Sequence, residues 1–265
     1  MGTFLRTNSF QQVISQNDYD AQKIQSAFGV PDHVMFQYAV DTLDRLSKSK
    51  MPFFAGFMTV SDHPPYIIPK EIPFHPHTNE LSQQIVEYAD WSLRDFFERC
   101  RQKDWFANTL FVFVADHGCV IGDTHYDIPL SYHHIPLLMY CADTSILKPR
   151  RMEEFGTQID IFPTVMDLLQ IRFVNNTLGI DLLKEKRDYA FFSSDDKVGC
   201  IDNDFFYIYN LTGSESLHAY RSGDTKNYLS EQGERATKMK TYAFSMIKTA
   251  KTLIETNKTG GKSNK

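Results

Sequence analysis

The stretch Asn108–Gly118, with the sequence NTLFVFVADHG, decides the fold of this chain of 265 residues. Its first part, up to Ala115, is a continuous apolar run rich in β-branched and aromatic residues, which is typical of a buried strand. Two polar side chains, Asp116 and His117, follow the run at once. Because open α/β sheets bind ligands beyond the carboxyl ends of their strands, these two side chains lie where a functional site is expected.

Apolar runs of strand length recur on both sides of this stretch. Pro52–Val60 precedes it and Ile135–Cys141 follows it, and each is short enough to favour a buried strand over a helix. Apolar residues at helical spacing predict helices over 31–48, 82–103, 160–171 and 231–257. Strands that alternate with helices indicate an α/β fold, here a three-layer sandwich with a mostly parallel central sheet.

The pattern changes beyond residue 187. Short strand-like pieces separated by polar turns occur at 189–192, 197–201 and 204–209. They predict a small antiparallel sheet at the C-terminal end. We therefore expect three parts: a main domain over 1–187, a small sheet with a terminal helix over 188–258, and a disordered tail over 259–265.

The composition argues against some classes of protein. The net charge of -5 gives no basis for nucleic-acid binding. No run of 18 or more apolar residues exists, so the chain is expected to be soluble and not to span a membrane. The four cysteines lack the spacing of a metal site and are expected to be mostly buried thiols.

The pair Asp116 and His117 carries the strongest chemical signal. A carboxylate oxygen and an imidazole nitrogen are both good ligands for Zn²⁺ or Mn²⁺, with Mg²⁺ or Ca²⁺ as alternatives. Gly118 lets the backbone turn sharply beside them. The pattern therefore predicts two ligands of a divalent metal. A plain turn, in which Asp116 caps the next segment, is the alternative interpretation of the dipeptide alone.

Four motifs occur in an order that resembles a known superfamily. They are Thr59–Tyr66 (TVSDHPPY), Asp116–Gly118 (DHG), His134–Leu138 (HIPLL) and Gln158–Thr164 (QIDIFPT). Together they are similar to the alkaline phosphatase/sulfatase superfamily, and closest to its lipoteichoic acid synthase-like phosphoglycerol transferases. The resemblance covers roughly residues 1–190 and implies an alkaline phosphatase-like fold.

The resemblance also implies roles for single residues. Asp116 and His117 match two of the metal ligands. His63 matches the histidine that contacts the phosphoryl group or the leaving oxygen, and His125 matches a second histidine on the substrate side. In this comparison, His134 enters the next strand, where packing or support of a ligand is favoured over direct ligation.

The same resemblance places the nucleophile outside the chain. Phosphoglycerol transferases use a threonine activated by the metal, and sulfatases use a modified Cys or Ser in a C/S-x-P-x-R segment. No such segment exists here. The matching region and a further acidic ligand are expected to precede residue 1, so no catalytic residue is assigned in this chain. The chain alone is expected to be inactive.

Three functions remain open at this stage. The resemblance favours a metal-dependent phosphoryl transferase or hydrolase of the cell envelope, acting on a phosphate or sulfate ester of a lipid head group or glycan. A sulfate-ester hydrolase and a non-catalytic binding domain with the same fold are the alternatives. The family's catalytic domains face the extracytoplasmic side of the membrane. Any membrane contact is expected only through segments absent from this chain.

Overall fold

The computed structural model describes residues 2–122 and 125–259. The chain divides into two units, Met1–Thr109 and Leu110–Lys265. In the described residues, no helix is both long and apolar enough to cross a membrane. Apart from Thr259, the predicted tail lies outside the described residues, and the predicted division at residue 187 stays a prediction.

The described part of the first unit contains three α-helices, of which the two long ones, the second and third, bury side chains. They are α1 (Gly2–Thr7), α2 (Asp32–Ser47) and α3 (Leu81–Cys100). The two long helices confirm the predictions for 31–48 and 82–103 to within a few residues. Their apolar faces meet: the rings of Phe36 on α2 and Phe96 on α3 are stacked with centroids 4.8 Å apart, and both side chains are buried.

The buried strand predicted over Pro52–Val60 is wrong. This segment belongs to no strand, and the side chains of Phe54 and Met58 are 79% and 67% exposed. A strand forms only where a neighbour takes up the backbone N–H and C=O groups. Apolar composition signals a tendency to be buried, but it does not supply that neighbour.

The second unit begins with a two-stranded sheet of β1 (Leu110–Val114) and β2 (Leu137–Cys141). Both strands lie where the sequence predicts them. Their pairing is antiparallel, so the parallel sheet predicted for this region is not found among the described residues. A parallel crossover is usually made by a full helix that packs on the sheet. In the described part of the connection between β1 and β2, the helix present is the four-residue α4 (Leu130–His133).

A four-stranded antiparallel sheet follows, which confirms the small sheet predicted from the sequence. Its strands, in spatial and chain order, are β3 (Ala190–Ser194), β4 (Lys197–Ile201), β5 (Phe206–Asn210) and β6 (Glu215–His218). Helix α6 (Gly233–Glu255) packs against this sheet, with Met239 fully buried beside Tyr207 and Leu217. A separate cluster joins Ile128 to Phe206 and Ile208.

Helix α5 (Ile161–Leu168) is tied to the rest of this unit by a buried ion pair. Asp160, which precedes the helix and is fully buried, accepts a hydrogen bond from Arg187 Nε at 2.7 Å. Arg187 also donates to the hydroxyl of Tyr242 on α6 at 2.9 Å. Burial disfavours the charged carboxylate, yet the Arg187 guanidinium holds the pKa of Asp160 below its ordinary value.

Candidate metal site

Asp116 and His117 leave the carboxyl end of β1 with both side chains in solvent. The Asp116 carboxylate is 91% exposed, and its Oδ1 accepts the backbone N–H of His117 at 2.9 Å. Its Oδ2 lies 3.9 Å from Nε2 of His117. A tetrahedral centre with bonds of about 2.1 Å places its ligand atoms roughly 3.4 Å apart. A small side-chain adjustment therefore lets both atoms contact one cation.

The proton of His117 can be placed from its contacts. Nδ1 lies 2.8 Å from the carbonyl oxygen of Gly118. Because a carbonyl can only accept, the neutral ring carries its proton on Nδ1 and leaves the lone pair of Nε2 free. Metal-binding histidines commonly donate their other N–H to such an oxygen, which fixes the tautomer and the ring orientation. The ring also stacks on Tyr132, with centroids 4.6 Å apart.

Gly118 is required because the turn packs directly on α4. Its N–H donates to the carbonyl of Tyr132 at 2.7 Å. A Cβ at this position would lie only 2.2 Å from the carbonyl oxygen of Ser131. The glycine thus serves close approach, in addition to the sharp turn that the sequence suggests.

Gln158 supports the same turn, and the sequence did not identify it. Its Nε2 donates to the carbonyl oxygens of Ala115 and Asp116, at 2.8 Å and 3.0 Å. A capping box fixes the backbone beside it, in which Oδ2 of Asp160 accepts from both the N–H and the hydroxyl of Thr157. The only sequence signal for Gln158 was its first place in the Gln158–Thr164 motif.

The described residues bring two candidate ligands together, whereas catalytic zinc sites use three and an open position. No group of three or more His, Cys, Asp or Glu side chains that could hold a metal occurs in 2–122 or 125–259. Asp116 and His117 fit a divalent cation as a pair, by donor type and distance. Their role as metal ligands stays a prediction.

His125, predicted to face the substrate, begins the segment after the two residues left undescribed. Its side chain is exposed, and the residues that follow it are well anchored. Tyr126 donates to the carbonyl of Asp224 at 3.1 Å, and its ring lies 4.8 Å from that of His218. Ile128 is fully buried. The segment is therefore held by the four-stranded sheet, and contact of His125 with substrate stays a prediction.

The last residue of α4, His133, and the residue after the helix, His134, differ in environment. His133 stacks on Phe192 with centroids 4.4 Å apart, and burial lowers its pKa. His134 follows the helix with an exposed side chain, and its backbone N–H donates to Leu130. His133 therefore packs against the sheet. The packing or supporting role expected for His134 stays a prediction.

His63 lies in the first unit, so its predicted convergence with Asp116 and His117 stays a prediction. Its Nδ1 is 2.7 Å from the carbonyl oxygen of Pro64, which leaves Nε2 free as in His117. The ring packs against Phe28 with centroids 4.2 Å apart. Two contacts, one with the next residue and one with Phe28, thus orient the ring of His63.

A buried carboxylate holds the start of the His63 loop, and sequence analysis also missed it. Oδ1 of Asp32 accepts the N–H groups of Val60 and Ser61, at 2.9 Å and 3.1 Å. In return, the Ser61 hydroxyl accepts the N–H of Asp32 at 3.0 Å. Because Asp32 is the first residue of α2, its negative charge also lies at the positive end of the helix dipole.

Comparison with known proteins finds relatives at low sequence identity. The chain is 22% identical over 212 residues to the lipoteichoic acid synthase-like YvgJ of Bacillus subtilis (strain 168), covering 72% of this chain and 33% of that protein. It is 24% identical over 178 residues to phosphoglycerol transferase I of Xanthomonas axonopodis pv. citri (strain 306), covering 64% of this chain and 25% of that protein. The chain thus matches only a third or a quarter of these relatives' length.

A solved structure shares almost the whole fold. A protein in the alkaline phosphatase superfamily from Vibrio parahaemolyticus superposes with a TM-score of 0.83 at 25% identity, covering 99% of this chain and 64% of that one. This confirms the expected alkaline phosphatase-like α/β fold. The family model described as Sulfatase matches residues 2–171, more than half of the chain. The chain therefore belongs to the sulfatase family of the alkaline phosphatase superfamily.

Proposed function

We propose that the protein takes part in metal-dependent transfer or hydrolysis of a phosphoryl group, with a phosphoglycerol-type ester as substrate. The observation that carries the proposal is the exposed pair at the end of β1. Oδ2 of Asp116 and Nε2 of His117 lie 3.9 Å apart, and both are free of the protein's own hydrogen bonds in the contacts described above. Relatives named lipoteichoic acid synthase-like and phosphoglycerol transferase support the substrate class.

Asp116 and His117 would hold a divalent cation, Mn²⁺ or Zn²⁺, with Mg²⁺ or Ca²⁺ as alternatives. Such a cation supplies charge neutralisation at the transferring group and lowers the pKa of a bound hydroxyl. Asp116 contributes a negative charge and His117 a neutral nitrogen, so the pair leaves a dipositive ion with net positive charge. That balance favours an anionic ester as substrate.

His63 is proposed to contact the ester. The neutral ring donates its Nδ1 proton in a hydrogen bond to the Pro64 carbonyl, so Nε2 can only accept a hydrogen bond. When protonated, the ring donates from Nε2 to a phosphoryl or leaving oxygen. His125 is proposed as the second substrate-side histidine. We place this chemistry at the extracytoplasmic face of the cell membrane, on the resemblance to lipoteichoic acid synthases.

No residue of this chain is proposed as the nucleophile. Ser61 is the closest hydroxyl to His63 in sequence, but its side chain is buried and its oxygen accepts the N–H of Asp32. A nucleophilic hydroxyl needs exposure to the substrate and an activating base or metal. Ser61 has neither among these contacts.

Sulfate-ester hydrolysis is the second candidate, and the match to the sulfatase family model favours it. Against it, the relatives named lipoteichoic acid synthase-like and phosphoglycerol transferase favour a phosphate ester. The two chemistries share the proposed metal pair. They differ in which anion the metal-loaded protein binds.

The test is calorimetric titration of the Mn²⁺-loaded chain with sn-glycerol 1-phosphate and, separately, with methyl sulfate. We expect binding of the phosphate ester that requires Mn²⁺, is lost in His117→Ala, and exceeds binding of the sulfate ester. His75→Ala, which changes an exposed loop histidine, is the matched control. Two results would reject phosphoryl chemistry at this pair. One is equal binding of the phosphate ester with and without Mn²⁺, and the other is tighter binding of methyl sulfate.

A further inference from the structure

The imidazole of His117 is held between its own backbone and one aromatic ring. Its Nδ1 donates to the Gly118 carbonyl at 2.8 Å. One face lies on Tyr132, with the ring planes only 14° apart and the centroids 4.6 Å apart. The His117 side chain is nevertheless 51% exposed. Water can therefore compete with the Gly118 carbonyl for the hydrogen bond from Nδ1. The ring of Tyr132 then remains as the contact that restricts rotation of the imidazole.

The helix that carries Tyr132 is anchored to the four-stranded sheet. Tyr132 belongs to α4, and the next residue, His133, stacks on Phe192 of β3 with the planes 21° apart. Leu130, at the other end of α4, packs against the buried cluster that contains Ile128 and Phe206. The four-stranded sheet therefore anchors the short helix that carries Tyr132.

The turn that carries His117 is joined to the same helix. Besides the bond from Gly118 to the Tyr132 carbonyl, the N–H of Ile121 donates to the Ser131 hydroxyl at 3.2 Å. The missing Cβ of Gly118 is what allows this contact, because a methyl group there would meet the Ser131 carbonyl. Two hydrogen bonds between the turn and α4 thus hold the ring of Tyr132 and the imidazole face to face.

We propose that Tyr132 is a positioning residue for His117, which keeps the imidazole proton on Nδ1 and leaves Nε2 free for a ligand. A neutral imidazole in water favours the tautomer with its proton on Nε2. Loss of the stacked ring would let His117 turn away from the Gly118 carbonyl and adopt that tautomer, which blocks the ligand position. The consequence for metal binding rests on the proposed function, whereas the orientation of the ring does not.

The direct test is the tautomer of His117 in the metal-free chain, measured by two-bond ¹⁵N–¹H correlation at pH 8, with the signal assigned by its absence in His117→Ala. We expect the Nδ1–H tautomer in wild type and in Tyr132→Phe, which keeps the stacked ring. Tyr132→Leu should shift His117 towards the Nε2–H tautomer. An unchanged tautomer in Tyr132→Leu would overturn the proposal, since a purely structural role would leave that signal in place.

A second readout is the affinity for Zn²⁺ by calorimetry, with the binding that remains in His117→Ala subtracted. Loss of a group that orients a ligand histidine typically weakens metal binding about tenfold or more. We expect that loss in Tyr132→Leu and a change within about twofold in Tyr132→Phe. Should Tyr132→Leu fail to fold, Tyr132→Met replaces it in both measurements. If His117→Ala binds Zn²⁺ like wild type, the metal site fails, and the tautomer still decides the role of Tyr132.

Discussion

Two contacts of the same kind orient the rings of His63 and His117. In each, Nδ1 faces the carbonyl oxygen of the following residue, at 2.7 Å and 2.8 Å, and one ring face lies against an aromatic side chain, Phe28 or Tyr132. The carbonyl contact is local, so it depends little on the rest of the fold. The aromatic partners are 35 and 15 residues away in sequence, which is why no spacing rule pointed to them.

A third histidine, His33, makes stability depend on pH. It is buried, and its Nδ1 lies 2.5 Å from the hydroxyl of Tyr88. Burial lowers the pKa of His33 and raises that of Tyr88 to about 12. Because the folded chain then binds fewer protons at His33 than the unfolded chain does, the free energy of unfolding should fall as pH drops below about 6.5.

The measurement for His33 is the urea midpoint at pH 7.5 and 5.5. We expect the midpoint of wild type to fall over this range, and to fall less in His33→Asn, which keeps a polar partner for Tyr88. His75→Asn is the control and should follow wild type. Equal falls in His33→Asn and wild type would show that His33 does not carry this dependence.

At the scale of elements, the four-residue helix α4 gives the turn after β1 its shape. Helical periodicity needs about two turns to be visible, so a helix of this length was not predicted. It nevertheless supplies the carbonyl that accepts from Gly118 and the ring beneath His117. The glycine of the Asp-His-Gly motif is therefore a packing requirement that the structure explains.

Gly118→Ala should destabilise the protein. The added methyl group would lie 2.2 Å from a backbone oxygen that cannot rotate away, so the turn must shift. Overpacking of this kind costs about 1–3 kcal/mol of unfolding free energy. Gly233→Ala is the matched control, because nothing lies within 4 Å of the new Cβ at the start of α6. A Gly118→Ala protein with wild-type stability in urea would contradict the close packing.

At the scale of the whole chain, the buried pair of Asp160 and Arg187 joins three separate segments of the second unit. Arg187→Met should leave Asp160 as an uncompensated buried charge, at a cost of about 3–5 kcal/mol. The comparison variant is Lys186→Met, whose partner Glu154 is on the surface. We expect no measurable change from that variant in urea unfolding. Similar midpoints for the two variants would mean that the buried pair does not hold the unit together.

Much of this architecture follows from local sequence, and the exceptions have a common cause. The strands at 110–114 and 137–141 and all four long helices were predictable, because apolar runs and helical spacing are local signals. The direction of strand pairing and the exposure of Pro52–Val60 depend on neighbours distant in sequence. The same holds for Gln158, which contacts carbonyls 42 and 43 residues away.

The claim on which the proposed function depends is that Asp116 and His117 bind a divalent metal. Titration of the chain with Zn²⁺ and Mn²⁺ by calorimetry tests it most directly. Wild type and His75→Ala should show the same binding at neutral pH, and Asp116→Ala and His117→Ala should both lose it, with urea midpoints close to wild type because both side chains are largely exposed. Metal binding by His117→Ala with wild-type affinity would contradict the claim.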